Sequence, residues 1–135
     1  MARKELFYTI DGTKGRDEGK VFYIQEMVSS QGEWWAVRAF MGMSKSGFEV
    51  PDNLKDMGLV GLATFGFSLL SKMNPEDAKP LMEELMSCIQ YVPDPSNRKV
   101  ARPLIESDIE EVATRLKLKA ETLKLHVDFF FADAA

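Results

Sequence analysis

Few residues in this 135-residue sequence have side chains that could carry out chemistry, and those few are scattered. His126 is the only histidine, the residue type that most often transfers protons near neutral pH. A catalytic histidine needs a nucleophile or a carboxylate beside it. Glu121 and Asp128 are close in sequence, but they share no helical face with His126 in a recognisable motif. We therefore interpret His126 as a histidine at the surface or at the edge of the core.

The single cysteine, Cys88, also lacks a partner for chemistry. One cysteine cannot close an intramolecular disulfide, and one cysteine with one histidine is too little for a zinc site. Cys88 stands between Met86 and Ile89 in an amphipathic pattern. This setting is typical of a small buried apolar side chain.

Acidic residues form two clusters that could in principle hold Mg²⁺ or Ca²⁺ or transfer protons. They are Glu76, Asp77, Glu83 and Glu84 in the first cluster, and Glu106, Asp108, Glu110 and Glu111 in the second. Both clusters coincide with predicted helix starts, where acidic residues are favoured by the helix dipole alone. Neither has the spacing of a calcium loop. We predict no catalytic residue, no metal and no cofactor, and therefore no enzyme.

The glycine-rich segment Gly12-Thr-Lys-Gly-Arg-Asp-Glu-Gly19 is a candidate for phosphate binding. A phosphate-binding loop has the pattern G-x-x-x-x-G-K-S/T and leads from a strand into a helix. Here Lys20 is followed by Val21 and the start of a predicted strand. We interpret the segment as a flexible hairpin tip whose mixed charges could select a partner.

Charge and hydropathy argue against nucleic acid and against membranes as partners. The chain has 17 basic and 21 acidic residues, a net charge of −4, which disfavours a phosphate backbone. The basic segment at 115–124 is interpreted as a solvated helix face. The most apolar stretch, residues 57–70, is shorter than the roughly 17–25 residues that span a bilayer. The N-terminus also lacks the apolar core of a signal peptide, so a cytoplasmic protein is expected.

The hydrophobic pattern predicts one α+β domain over residues 1–135 that is mainly helical. Residues 4–10 and 20–27 are rich in aromatic and β-branched side chains, which indicates an N-terminal β-hairpin within residues 1–28. This hairpin is apolar on both faces, so we expect helices on one side and another partner, such as a second subunit, on the other.

About four helices are predicted within residues 29–135. Two capping boxes, Ser30-Gln-Gly-Glu33 and Ser107-Asp-Ile-Glu110, and the start signal Asn74-Pro75 mark three of them, and residues 57–70 form the other. The helix from Asn74 is expected to reach about Ile89, and residues 98–104 to be extended. The last helix carries an apolar stripe at Ile109, Val112, Leu116, Ala120, Leu123, Val127 and Phe130.

Apolar side chains in excess of one core point to a protein-interaction surface. Trp34 and Trp35 are adjacent, so on a helix they point about 100° apart and one core cannot easily take both. Leu118 and Leu125 fall off the terminal stripe. The full set of candidates is Phe7, Tyr23, Trp34, Trp35, Leu118, Leu125, Phe129, Phe130 and Phe131.

Several blocks of the sequence carry a family resemblance. They are Ala2-Arg-Lys-Glu-Leu-Phe-Tyr-Thr-Ile10, Gly15-Arg-Asp-Glu-Gly-Lys-Val-Phe-Tyr-Ile-Gln-Glu-Met27, Glu33-Trp-Trp-Ala36, Val92-Pro-Asp-Pro95, Arg102-Pro-Leu-Ile-Glu106 and Asp108-Ile-Glu-Glu-Val112. Together they resemble the tail assembly chaperones that prophages of long-tailed bacteriophages encode. Val28 departs from the family pattern, which has a proline at this place.

The resemblance implies a small, mostly helical protein without catalytic residues, in the cytoplasm of the bacterial host. Such chaperones self-associate and coat the tape-measure protein while tail-tube subunits polymerise, and they leave before the virion is complete. Many also have a longer, frameshifted form, and the codons for Phe129-Phe-Phe131 could supply the slippery run. Two alternatives remain: a structural tail or head–tail connector component kept in the virion, and a small enzyme or ligand-binding domain around His126.

Overall fold

A computed structural model describes residues 3–11, 15–45 and 72–131, without the side chains of Met43 and of residues 127–131. In these ranges the chain has a mixed α+β architecture, with one four-stranded antiparallel sheet and three α-helices. The strands are β1 (Glu5–Thr9), β2 (Val21–Gln25), β3 (Ile89–Val92) and β4 (Arg102–Pro103); the helices are α1 (Ser29–Lys45), α2 (Pro75–Ser87) and α3 (Val112–Phe131), with a 3₁₀ turn at Glu106–Asp108. The helix predicted at residues 57–70 lies outside the described residues.

The sheet has the order β1-β2-β3-β4, so the predicted N-terminal hairpin is half of a larger sheet. The helix from Asn74 ends at Ser87, and the prediction that it reaches Ile89 was wrong. The residues Ile-Gln-Tyr-Val at 89–92 are β-branched or aromatic at three of four positions and pair with β2. The Gln25 N–H donates to the Cys88 carbonyl at 3.0 Å, which starts this pairing at the point where the helix stops.

The turn before β2 requires glycine at position 19. The Gly19 N–H donates to the Ile10 carbonyl at 2.7 Å, and the Ile10 N–H donates to the Lys20 carbonyl at 2.9 Å. Two residues therefore face one, which is a β-bulge. Gly19 has φ = 88°, a conformation that side chains with a Cβ rarely adopt.

Two apolar clusters form the core of the described residues. One lies among the helices and contains Met27, Trp35, Ala39, Met73, Ala78, Leu81, Leu85 and Leu123. The other lies between the sheet and α3 and contains Ile10, Phe22, Ile24, Met86, Ile89, Ile109 and Leu118. The helices thus cover one face of the sheet, as the two-sided hairpin requires.

The buried face of α3 differs from the predicted apolar stripe. Val112 and Leu116, both in the predicted stripe, are 73% and 46% exposed, whereas Leu118 is 0% exposed. The buried face also holds Thr122, whose hydroxyl donates to the Leu118 carbonyl at 2.7 Å. Because this bond satisfies the hydroxyl within the helix, the threonine packs in the core, and a pattern built on apolar residues alone misses it.

Candidate protein-interaction surfaces

One side of α1 presents large apolar side chains away from the core. We call Trp34, Val37, Phe40 and Met41 the outer face of α1; Trp34 is 56% exposed and Met41 60%. Trp34, Val37 and Met41 recur at i, i+3 and i+7, so they lie along one side of the helix. This spacing is the one by which a helix docks against another helix.

Arg38 holds Trp34 at the boundary between α1 and α2. Its guanidinium carbon lies 5.5 Å from the centroid of the Trp34 ring, which places a cation over an aromatic face. The same guanidinium forms an ion pair with Glu84 of α2. Arg38 thus links the exposed ring of Trp34 on α1 to Glu84 on α2.

A cleft of about 370 Å³ lies beside the outer face, between α1 and α2. Its lining includes Trp34 and Met41 on one side and Pro80 on the other. The charged residues Arg38, Lys45, Glu76 and Asp77 also line the cleft, and Lys45 lies 3.6 Å from the Asp77 carboxylate. The cleft therefore offers a partner both apolar and charged contacts.

The two tryptophans separate as their spacing predicts. Trp35 is 6% exposed and its indole N–H donates to the Leu81 carbonyl at 3.0 Å, so it joins α1 to α2 inside the core. Its place among the candidate interaction residues was therefore wrong, whereas Trp34 faces outward.

The structure brings Phe7 and Tyr23 together on the side of the sheet opposite the helices. Their ring centroids are 5.1 Å apart, and the Arg98 guanidinium lies 5.4 Å from the centroid of Phe7. The Tyr23 hydroxyl donates to the Glu5 carboxylate, and this hydrogen bond raises the pKa of Tyr23. Both rings are half-buried, so they form a smaller and more polar surface than the outer face of α1.

The remaining candidates are on α3 and are not brought into either surface. Leu118 is fully buried, which overturns its selection as an exposed contact. Leu125 is half-buried against the cluster between sheet and helix. Phe129, Phe130 and Phe131 belong to α3, and their side chains lie outside the described residues.

His126 has a structural environment at the edge of the core. Its Nε2 accepts the Met27 N–H at 2.9 Å, and its Nδ1 lies 2.7 Å from the Thr122 carbonyl. Nδ1 therefore carries the proton and donates it to that carbonyl. The ring joins the C-terminal half of α3 to the segment between β2 and α1.

Cys88 is expected to react slowly with thiol reagents. Burial, followed by the negative charge of Glu84, raises the pKa of its thiol from 9.0 to about 11. Because the thiolate is the nucleophile, its fraction at pH 8 falls roughly a hundredfold relative to an unperturbed thiol. Alkylation with iodoacetamide should be slower by about that factor in the native chain than in the same chain unfolded by guanidinium. Equal rates would contradict the burial.

A buried carboxylate that the sequence did not indicate joins the hairpin turn to α3. Asp17 is 0% exposed, and it accepts the backbone N–H groups of Glu110 and Glu111 at 2.9 and 2.8 Å. These N–H groups precede the first turn of α3 and have no helical partner of their own. Burial alone would raise the pKa of Asp17, but the hydrogen bonds from Glu110, Lys20 and other groups outweigh it and lower the pKa.

A second buried carboxylate, Asp108, extends this network. Its carboxylate accepts hydrogen bonds from both terminal nitrogens of Arg102, at 2.7 and 2.8 Å, and from the Ile105 N–H at 2.8 Å. The hydrogen bond from the Arg102 guanidinium is the main cause that lowers the pKa of Asp108. Lys20 donates to the Asp17 carboxylate and to the Asp108 backbone carbonyl, so it links the side chain of Asp17 to the backbone at Asp108.

This network corrects two predictions. The described part of the turn, residues 15–20, is anchored to the start of α3, so its charges serve an internal contact and it is not a flexible tip. The helix also begins at Val112, not at Ser107, because the residues of the expected capping box form the 3₁₀ turn and its continuation. The cap comes instead from Asp17, which is 93 residues away from Glu110.

In the described ranges no three His, Cys, Asp or Glu side chains are grouped closely enough to hold a metal ion. None of the helices in those ranges is long and apolar enough to cross a membrane. The sequence matches no protein-family model, no curated protein and no solved structure.

Proposed function

We propose that this chain is a non-enzymatic assembly chaperone of the phage-tail type. In this proposal it binds the tape-measure protein through the outer face of α1 and associates with itself while the tail tube forms. In the chaperone families that this sequence resembles, the client is a long, mostly helical protein. An apolar helix face can accept a partner of this kind.

The observation that carries the proposal is the outer face of α1. A helix in a small domain needs only one apolar face, and α1 already buries Trp35, Ala36 and Ala39. The opposite side nevertheless carries two aromatic residues, a methionine and a valine. Contiguous apolar surface of this kind marks a protein contact, and tryptophan is the residue type most enriched among binding hot spots.

Substitution of the outer face is expected to weaken client binding without unfolding the chain. Trp34→Lys and Met41→Lys replace exposed apolar groups by charge, so the core clusters keep their packing. Loss of one large apolar contact at the centre of an interface costs about 2 kcal/mol, so the Kd for the tape-measure protein should rise roughly thirtyfold with either variant. Co-expression followed by affinity purification and calorimetry measures this.

Val112→Lys is the matched control, because Val112 is 73% exposed and apolar but lies on α3. It should bind the tape-measure protein as the wild type does. An equal loss of binding in all three variants, or no loss in the α1 variants, would contradict the assignment of the surface.

A chaperone must also leave the finished particle. Mass spectrometry of purified virions should therefore detect the tape-measure protein and lack this chain. If the chain is present at a fixed ratio to the tail-tube subunit, the structural-component alternative replaces the proposal.

A further inference from the structure

The two edges of the sheet are built differently. The β4 edge has only two residues, and one of them is Pro103, which has no N–H to donate. Short strands and prolines are the usual protection of a sheet edge against further pairing. The β1 edge has five residues, Glu5–Thr9, and no proline.

The backbone groups on the outer edge of β1 can be identified from the ladder. The Ile10 N–H donates to the Lys20 carbonyl, and the Glu26 N–H donates to the Lys4 carbonyl. Even-numbered residues therefore bond to β2, and the N–H and C=O groups of Glu5, Phe7 and Thr9 point away from it. Among the described residues no hydrogen bond engages these outward groups.

We propose that β1 pairs antiparallel with β1 of a second copy of this chain, about a two-fold axis at Phe7. Only residues with outward groups can face each other as hydrogen-bonded pairs. The register with full overlap places Phe7 opposite Phe7 of the second copy and Glu5 opposite its Thr9. The two four-stranded sheets then form one continuous sheet.

Charge and side-chain type favour a second copy as the occupant. In this register Arg3 lies opposite Asp11 of the second copy, so the basic and acidic ends of the segment oppose each other. Leu6 lies opposite Tyr8, which matches apolar groups on the face that the helices cover. No two like charges face each other between residues 3 and 11.

This inference deepens the proposed function, on whose self-association it rests, and gives that association its interface. The interface is distinct from the outer face of α1, which stays available to the client. A chain that is monomeric but still binds the tape-measure protein would overturn this interface and leave client binding intact.

Cysteine cross-linking of the full chain tests the register. In a Cys88→Ala background, Glu5→Cys and Thr9→Cys variants are mixed and oxidised. Facing residues have Cα atoms about 5.5 Å apart, within the range of a disulfide, so the mixture should give disulfide-linked dimers. Each variant alone should give few, because identical positions lie about 14 Å apart along the strands. Absence of dimers in the mixture, or dimers from Glu5→Cys alone, would overturn the proposal.

A proline at position 9 tests the hydrogen bonds themselves. Thr9→Pro removes an outward N–H and leaves the ladder to β2 complete, whereas Thr9→Ala keeps the N–H. Light scattering over a concentration series should show dimers for the wild type and Thr9→Ala, and monomers for Thr9→Pro. A wild type that stays monomeric, or a Thr9→Pro variant that dimerises equally, would overturn the interface. Phe7 is unchanged in all of these variants, so its ring contact with Tyr23 is retained.

Discussion

Replacing Asp17 by asparagine should lower the free energy of unfolding by about 3 kcal/mol, a large share of the stability of a small domain. The carboxylate is fully buried and accepts two backbone N–H groups and the Lys20 ammonium. An amide of the same size has one acceptor oxygen, and its NH₂ group faces donors. The variant therefore leaves buried donors unpaired and Lys20 without its counter-charge.

Chemical denaturation followed by circular dichroism measures this effect. Glu18→Gln is the control, because Glu18 is the neighbouring acid in the same turn and is exposed. It should change the unfolding free energy by no more than about 0.5 kcal/mol. If both variants unfold at the same denaturant concentration, Asp17 does not cap α3.

The same carboxylate gives a pH dependence with a defined sign. Asp17 has a pKa in the folded chain that is lower than its ordinary value of 3.8. Its contribution to stability is therefore complete above that value and is lost as the pH falls below it. As the pH falls from about 4 to about 2, the wild type should lose stability more steeply than Asp17→Asn. Parallel pH profiles for the two proteins would contradict the assignment.

Truncation of Leu118 should be far more damaging than truncation of Leu116, two residues away on the same helix. Leu118 is 0% exposed and packs between the sheet and α3, so Leu118→Ala leaves a cavity. Such cavities cost about 2–5 kcal/mol. Leu116 is 46% exposed, so Leu116→Ala should cost roughly 0.5 kcal/mol or less.

This pair of variants separates the observed face of α3 from the predicted stripe, which placed Leu116 inside and Leu118 outside. Equilibrium denaturation of both variants decides between them. The observed face requires a large loss for Leu118→Ala alone. A larger loss for Leu116→Ala would show that the helix is rotated.

Sequence patterns predicted the strands and helix starts that depend on only a few neighbouring residues. The aromatic and β-branched runs gave β1 and β2, and Asn74-Pro75 gave the start of α2, because strand preference and a proline at the first helical position act over a few residues. The end of α2 was not predictable in this way. Residues 89–92 fit a helical period as well as a strand, and only pairing with β2 decides between them.

The placement of some candidate side chains follows from local geometry for the same reason. The divergence of Trp34 and Trp35 follows from helix geometry, and the contact of Phe7 with Tyr23 follows from the antiparallel register. The role of Asp17 depends on a partner 93 residues away, and no spacing rule reports that. The buried face of α3 includes Thr122, whose hydroxyl bonds to a carbonyl of the same helix, and a purely apolar pattern counts this residue as polar.

Hydroxyl-radical footprinting of the purified complex with the tape-measure protein tests the central claim most directly. Trp34 and Met41 are exposed and belong to residue types that oxidise readily, so their modification can be followed by mass spectrometry. Client binding should protect both side chains strongly and leave the modification of Tyr23 unchanged. A stable complex in which Trp34 and Met41 remain as reactive as in the free chain would contradict the proposed site.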